Sequence, residues 1–168
     1  LAIILLTKLG FNVEAISNSP QKTKYLTSIG ASSILDLNDL LSLPQHNLQK
    51  ERYSAALDTI GSEGLVCLLK QVQTEGIVVS SGLVSGQDLP NLTVLPFLLR
   101  GITLTGTGTE VASERRIKEA KLTLDKFISV DDVQKLVNVV RFENLPTAIT
   151  EFAKFNFCGR YVVDHKGR

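Results

Sequence analysis

The sequence predicts an α/β fold in which a doubly wound parallel sheet carries helices on both faces. Short apolar runs typical of strands alternate along the chain with segments typical of helices, which is the order of parallel strands joined by crossover helices. The strand-like runs alternate only imperfectly between apolar and polar residues, as expected of strands covered on both faces. With 43% apolar and 21% charged residues, the 168-residue chain is long enough for a hydrophobic core.

The first half of the chain has the clearest elements. A helix at 1–9 precedes a strand at 12–17, and Ser19 and Pro20 suit the N-cap and first turn of a helix that ends at Gly30. The other elements predicted up to residue 126 are strands at 31–35, 53–61, 75–83 and 101–108, helices at 62–72, 94–100 and 110–126, and a broken helix or loop at 36–50. The alternation then gives way to helices at 131–140 and 146–154 and a strand at 160–164. We therefore expect a domain at 1–126 and a C-terminal segment at 127–168.

Composition excludes several classes of function. The 18 basic and 17 acidic residues leave a formal net charge of +1. The chain therefore lacks the excess of positive charge that is typical of proteins that bind nucleic acid or a membrane surface. No apolar run is long enough for a spanning helix. Two cysteines and two histidines do not show the spacing of a metal-ligand set. We expect a cytoplasmic protein with a small-molecule substrate and no metal, nucleic-acid or membrane partner.

Small and hydroxyl-bearing residues follow the predicted strands. They form four short runs: Ser17-Asn18-Ser19, Asp58-Thr59-Ile60-Gly61, Ser80-Ser81-Gly82-Leu83 and Gly106-Thr107-Gly108-Thr109. Ligands of open parallel sheets bind at the carboxyl ends of strands, where small residues let them approach the backbone. Loops favour the same residues in any case. For Asp58, capping of the following turn is the favoured interpretation.

A dinucleotide-binding domain of the Rossmann type accounts for these runs. Such a domain begins with a strand and a glycine-rich turn that delivers the pyrophosphate to the first helix, and neither precedes the helix at 1–9. The predicted fold is therefore a Rossmann-type sheet lacking its first strand. The strand at 12–17 then ends where the adenosine ribose binds, and its tip has no acid to repel a 2′-phosphate. With Lys22 and Lys24 nearby, this favours NADP(H) over NAD(H). Alternatively, Ser19 merely caps the next helix and the lysines are solvated.

Several motifs resemble those of the medium-chain dehydrogenase/reductase superfamily. They are SNSPQKTKYLTSIGASSIL, ALDTIG, VVSSGLVSG, LPFLLRGITLTGTGTEVASERR and CGRYVVD, and together they extend over nearly the whole chain. The LPFLLRGITLTG…ERR stretch is the most specific of them. Within the superfamily, the chain resembles the zinc-free quinone-oxidoreductase-like branch that includes acryloyl-CoA reductase. The resemblance implies a C-terminal fragment that lacks the catalytic domain and the glycine-rich loop, with 127–168 as the segment that returns to the catalytic domain.

The resemblance also implies site residues and an activity. The cofactor-binding residues would be Ser17, Asn18, Ser19, Thr59, Ile60, Gly61, Ser81, Gly82, Leu83, Thr109 and Arg160. The full-length protein would transfer hydride from NADPH to an activated alkene, either an acryloyl-CoA-like enoyl thioester or a quinone. No catalytic residue is assigned within this chain. Relatives pair edge strands near 101–106, which implies a homodimer. Two alternatives stay open: an NADP(H)-binding sensor or structural domain without catalysis, and an inactive fragment.

Overall fold

The computed structural model describes residues 1–44, 46–108, 112–154 and 157–165 and has the predicted α/β composition. Its helices are α1 (Ala2–Lys8), α2 (Thr23–Ser28), α3 (Leu37–Leu41), α4 (Ser62–Leu69), α5 (Leu95–Arg100), α6 (Glu114–Phe127), α7 (Val130–Gln134) and α8 (Leu145–Ala153). Its strands are β1 (Glu14–Ile16), β2 (Ser33–Leu35), β3 (Tyr53–Asp58), β4 (Val72–Ser80), β5 (Thr103–Gly106), β6 (Val137–Arg141) and β7 (Arg160–Asp164). Short 3₁₀ turns cover Pro20–Lys22 and Phe142–Asn144.

The chain forms two compact units, Leu1–Leu35 with Lys118–Arg168 and Asp36–Ile117. All described strand pairs are parallel, as predicted. The first unit contains the pair β1–β2 and the pair β6–β7, and the second contains a sheet in the order β3-β4-β5. The described strands thus form three separate sheets.

The prediction of one helix at 131–140 is wrong in its second half. Helix α7 ends at Gln134, and β6 pairs along its whole length with β7, from Val137 opposite Arg160 to Arg141 opposite Asp164. Three valines in β6 favour a strand, because β-branched side chains suit a pleated surface better than a helix. Helix α4 also ends earlier than predicted, and its last predicted residue, Val72, begins β4.

The core of the second unit lies between α4, α5 and one face of the sheet. Its buried cluster consists of Leu65, Leu69, Val72, Val78 and Ile102. All six residues of α4 from Gly64 to Leu69 are buried, so this helix is held by apolar packing on several sides. Burying a large aliphatic side chain contributes about 1.5–3 kcal/mol, and this cluster therefore anchors the strand ends described below.

Arg100, the last residue of α5, joins three backbone segments of the second unit. Its Nη1 donates to the carbonyl oxygens of Lys70 at 2.8 Å and Val72 at 3.1 Å, and Nη2 donates to the carbonyl of Gln49. Its Nε lies 3.2 Å from a carboxylate oxygen of Glu51. One guanidinium thereby satisfies backbone acceptors where α4 ends and β4 begins.

In the first unit, a buried carboxylate joins α1 to α7. Asp132 pairs with Lys8 and also forms a capping box, in which its carboxylate accepts the Ser129 N–H at 2.9 Å and Ser129 Oγ accepts the Asp132 N–H at 3.2 Å. The hydrogen bond from Lys8, followed by those from Ser129, holds the pKa of the Asp132 carboxyl well below its usual range.

Within the described part of the chain, no helix combines the length and apolar character needed to cross a membrane. The same residues contain no group of three or more His, Cys, Asp or Glu side chains placed to hold a metal ion.

Candidate functional site

Asp58 organises the end of β3. Its side chain is 1% exposed, and its carboxylate accepts the backbone N–H groups of Ile60 and Gly61, each at 3.0 Å. It also accepts the hydroxyl of Ser80, the last residue of β4, at 3.1 Å. The expected turn-capping role of Asp58 is therefore confirmed, and the same carboxylate ties the turn to the neighbouring strand.

Two glycines let the loop after β4 close onto this turn. Gly61 has φ 76°, and a Cβ there would lie 2.4 Å from the carbonyl oxygen of Gly86. A Cβ on Gly82 would lie 2.3 Å from the carbonyl oxygen of Thr59. The Ser85 N–H donates to the carbonyl of Ile60 at 2.8 Å. The structure thus brings together two of the predicted runs, 59–61 and 81–83.

A cavity of about 260 Å³ opens beside these two runs, and we call it the strand-tip cavity. Its apolar walls are Leu65, Leu83, Leu89 and Leu104. Its polar side chains are Ser62, Ser80, Gln87 and Thr105. Sequence reasoning placed Ser80 and Leu83 at a strand tip but missed Gln87. The only sequence signal for Gln87 was its position after Gly86, because nothing in the sequence showed that the loop after β4 packs against the turn at 59–61.

The run Ser17-Asn18-Ser19 follows β1 in the first unit. The Ser17 N–H donates to the carbonyl of Leu35 at 3.0 Å, and Ser17 Oγ accepts the N–H of Ser19 at 3.2 Å. Ser19 occupies the predicted N-cap position, but its side chain makes no capping hydrogen bond to the turn at Pro20–Lys22. Asn18 is exposed. The run therefore forms a short polar loop with an accessible amide.

Arg160 also belongs to the first unit, where it begins β7 and donates its N–H to the carbonyl of Leu136 at 2.7 Å. It lies close enough to Tyr25 for its charge to act on that phenol. Burial raises the pKa of Tyr25 and the Arg160 charge opposes the rise. A second cavity, of about 440 Å³, is lined by Tyr25 together with residues of α7, β6 and the segment before β7, among them Asn138 and Cys158. Thr109 lies outside the described residues.

No family model matches the chain, and the curated relatives that match it are named as reductases or oxidoreductases. Acrylyl-CoA reductase AcuI of Ruegeria pomeroyi is 29% identical over 163 residues, which are 97% of this chain and 49% of that protein. Putative quinone oxidoreductase YhfP of Bacillus subtilis is 28% identical over 97% of this chain and 49% of its own length. The chain thus spans about half the length of the curated relatives it matches.

Among the solved structures that are similar to this chain are oxidoreductases of the same kind. The YhdH oxidoreductase of Salmonella enterica, in complex with NADP, matches with a TM-score of 0.90 and 30% identity over 98% of this chain and 50% of that one. The chain is homologous to oxidoreductases of the medium-chain dehydrogenase/reductase superfamily. YhfP of B. subtilis with NAD bound matches with a TM-score of 0.86 and 29% identity over 98% of this chain and 50% of that one. The predicted Rossmann-type α/β fold class is confirmed.

Proposed function

We propose that this chain is the cofactor-binding part of an NADPH-dependent reductase of activated alkenes. The observation that carries the proposal is the match, over 98% of the chain with a TM-score of 0.90, to an oxidoreductase solved with NADP. The similarity to an acrylyl-CoA reductase and to a putative quinone oxidoreductase supports an enoyl thioester or a quinone as the substrate of the full-length protein.

We assign the 2′-phosphate of the cofactor to the loop after β1. Ser17, Asn18 and Ser19 offer hydroxyl and amide groups without a negative charge, and Lys22 follows within one turn. An acid at this position would accept bonds from the ribose hydroxyls and repel a phosphate. In the same unit, the cavity beside Tyr25 lies near the positive charge of Arg160, which suits it to part of an anionic nucleotide.

The remaining proposed cofactor contacts are the two runs at the strand-tip cavity, 59–61 and 81–83, together with Thr109. When bound, NADPH would supply the hydride that adds to the β-carbon of the alkene, with a proton completing the product at the α-carbon. The part of this chain is to bind and orient the cofactor, and no described side chain is assigned as a proton donor. The reductase we propose is zinc-free and cytoplasmic.

We further propose a homodimer that forms through β5. This strand pairs with β4 on one side and stands at the edge of the described sheet. Helix α5 leads directly into it and exposes Leu98 (70%) and Leu99 (61%). An exposed apolar group beside an unpaired strand edge favours association with a second copy.

Coenzyme binding tests the proposal, because one homologue was solved with NADP and another with NAD. Nicotinamide fluorescence should show tighter binding of NADPH than of NADH. Asn18→Asp adds a negative charge at an exposed position and should weaken NADPH binding about tenfold, equivalent to about 1.4 kcal/mol, while NADH binding is retained. Asn47→Asp, exposed in the other unit, is the matched control and should change neither affinity.

Four outcomes distinguish these interpretations. Equal effects of Asn18→Asp on both coenzymes would contradict the 2′-phosphate assignment. Absence of binding to either coenzyme would support the inactive-fragment alternative for this chain. Turnover of acryloyl-CoA or a quinone by the full-length protein would establish a reductase, and NADPH binding without turnover of either would favour a sensor or structural domain.

A further inference from the structure

The cavity beside Tyr25 contains a nucleophilic side chain that the proposed function does not use. Its lining residues include Cys158, and its volume of about 440 Å³ is within the range of small-molecule pockets. Both cysteines of the chain are free thiols, but Cys67 is 2% exposed on the buried helix α4, whereas Cys158 is only partly buried. The two thiols therefore differ in their access to a reagent from solution.

The segment that carries Cys158 is fixed against the start of β6. The carbonyl oxygen of Cys158 accepts a hydrogen bond from Nδ2 of Asn138 at 2.7 Å, and the N–H of Arg160 donates to the carbonyl of Leu136 at 2.7 Å. Between them, Gly159 has φ 85°, and a Cβ there would lie 2.4 Å from the same Leu136 oxygen. The thiol therefore belongs to a cavity wall that hydrogen bonds and close backbone packing hold in place.

Lys135 brings positive charge to this cavity. It lines the cavity directly, and none of the described lining residues is Asp or Glu. The ammonium of Lys135 lies 3.7 Å from a carboxylate oxygen of Asp132, but the same carboxylate also pairs with Lys8, so one acid is shared between two ammonium groups. Cations beside a thiol favour the thiolate, which is the reactive nucleophile.

Arg160 is the second cation near the thiol. Burial raises the pKa of the Tyr25 phenol, the neighbouring Cys158 raises it further, and the charge of Arg160 opposes the rise. Cys158 and Arg160 therefore lie within electrostatic range of the same ring. Phe157 and Tyr161, whose ring centroids are 5.3 Å apart, add apolar surface to the lining. The cavity thus combines an accessible nucleophile, positive charge and apolar rings.

We propose that Cys158 is a covalent modification site for activated alkenes that carry a negative charge. The thiolate sulfur adds to the β-carbon of the alkene, the π electron pair of the double bond moves to the α-carbon, and a proton from solvent completes the product there. One S–C and one C–H bond form, no group leaves, and no oxidant or reductant takes part. Lys135 and Arg160 attract the negative group while Cys158 reacts. Activated alkenes are also the proposed substrate class of the full-length protein, and the proposal rests on the proposed function only for that natural source.

Two maleimides test the selection, because 3-maleimidopropionate and N-propylmaleimide share the reacting ring and only the first carries a carboxylate at pH 7. Peptide mass spectrometry of the wild-type chain, labelled without coenzyme, should show that Cys158 reacts at least about a hundredfold faster than Cys67, since buried cysteines are inert. The preference for the anionic reagent should be at least about threefold greater at Cys158 than at N-acetylcysteine amide, an uncharged free thiol, because the nearby cations attract the carboxylate. Labelling of both cysteines at similar rates, or the same reagent preference as the free thiol, would overturn the proposal.

Lys135→Gln identifies the charge responsible for this preference. The Lys135 side chain is 56% exposed, so the substitution should leave the fold intact and lower the preference for the anionic maleimide about twofold. Lys154→Gln is the matched control: the Lys154 side chain is 58% exposed and pairs with Glu151 three residues earlier, just as Lys135 pairs with Asp132. This control should keep the wild-type preference, and equal preferences in the two variants would refute selection by Lys135.

Cys158→Ser tests the assignment of the adduct. By intact-mass spectrometry, this variant should take up no maleimide under conditions in which the wild-type chain takes up one, and uptake of one label by the variant would contradict the assignment to Cys158. Because the labelling needs no coenzyme, failure of NADPH to bind would count against the proposed function and would leave the labelling result standing.

Discussion

Replacing Arg100 by alanine should destabilise the second unit more than any other single change at an arginine in it. The Arg100 side chain is 11% exposed, and its guanidinium donates to three backbone carbonyls, those of Gln49, Lys70 and Val72. Alanine would remove the guanidinium donor from these acceptors in a site that water reaches poorly, and the Lys70 carbonyl would keep the N–H of Gln49 at 3.0 Å. The substitution therefore removes hydrogen bonds from buried backbone carbonyls in addition to removing a charge.

The magnitude follows from the number and type of bonds. A hydrogen bond to a charged group contributes about 1.5–3 kcal/mol, so three of them set an upper range of roughly 4.5–9 kcal/mol. The Glu51 partner is 41% exposed, and its ion pair adds about 1 kcal/mol or less. Water entering the vacated space recovers part of the loss. We therefore expect a loss of about 3–5 kcal/mol, as for other broken buried charge networks.

Urea denaturation followed by circular dichroism measures this loss. Arg100→Lys keeps the charge but not the planar fork of donors, so it should restore only part of the stability. Arg141→Ala is the control: its side chain is 68% exposed, its Glu143 partner is 3.8 Å away, and the change should cost less than about 0.5 kcal/mol. A loss below about 1 kcal/mol for Arg100→Ala would refute the reasoning.

Three further predictions concern the loops, the first unit and the association of copies. Gly82→Ala should lower the free energy of unfolding, measured by urea denaturation, by about 2 kcal/mol, because its Cβ would lie 2.3 Å from a backbone oxygen. Gly106→Ala should be nearly neutral, because the nearest neighbour of its Cβ would be 3.9 Å away. Equal effects of the two substitutions would contradict the steric argument. The pKa of the Asp132 carboxyl is depressed in the folded state, so its pairing stabilises the first unit fully above the ordinary carboxyl pKa of 3.8, and this stabilisation is lost progressively as the pH falls below that value. The difference in free energy of unfolding between wild type and Lys8→Met should therefore shrink between pH 7 and pH 3. A difference that stays constant over this range would argue against the role of the pair. By light scattering, Leu98→Glu should convert the proposed dimer to a monomer and Leu122→Glu, which is exposed to a similar degree on α6, should not; a dimer that persists in Leu98→Glu would exclude this interface.

The strands that have a clear local sequence pattern were predicted correctly. Strand β6, which depends on pairing with a distant strand, was missed. Strands β3 and β4 contain the short apolar runs 55–57 and 77–79, each followed by turn residues, and both strands were found. Strand β6 follows α7 without a turn residue such as Gly or Pro, and its strand state depends on partners in β7 more than 20 residues away. A short segment of this kind cannot be assigned from its own residues, because tertiary pairing overrides local propensity.

The site residues at the strand tips were predictable from the sequence, whereas those in the loop after β4 were not. Asp58 and Gly61 stood out because a turn must follow a strand, and the structure places both in that turn. The contribution of Gln87 depends on a backbone contact between Gly61 and Gly86, residues 25 positions apart. Contacts of this kind arise from the packing of one loop on another, which no local residue pattern records.

The division into units carries a consequence for the order of folding. Residues 36–117 form a continuous unit, whereas the other unit combines 1–35 with 118–168, and its Lys8–Asp132 pair spans 124 positions of the chain. During synthesis, the continuous unit can complete its contacts while the partners of α1 are still absent. Residues 1–35 can therefore complete their unit only after residues 118–168 have been synthesised, and we expect this unit, with its long-range contacts, to fold more slowly than the continuous one.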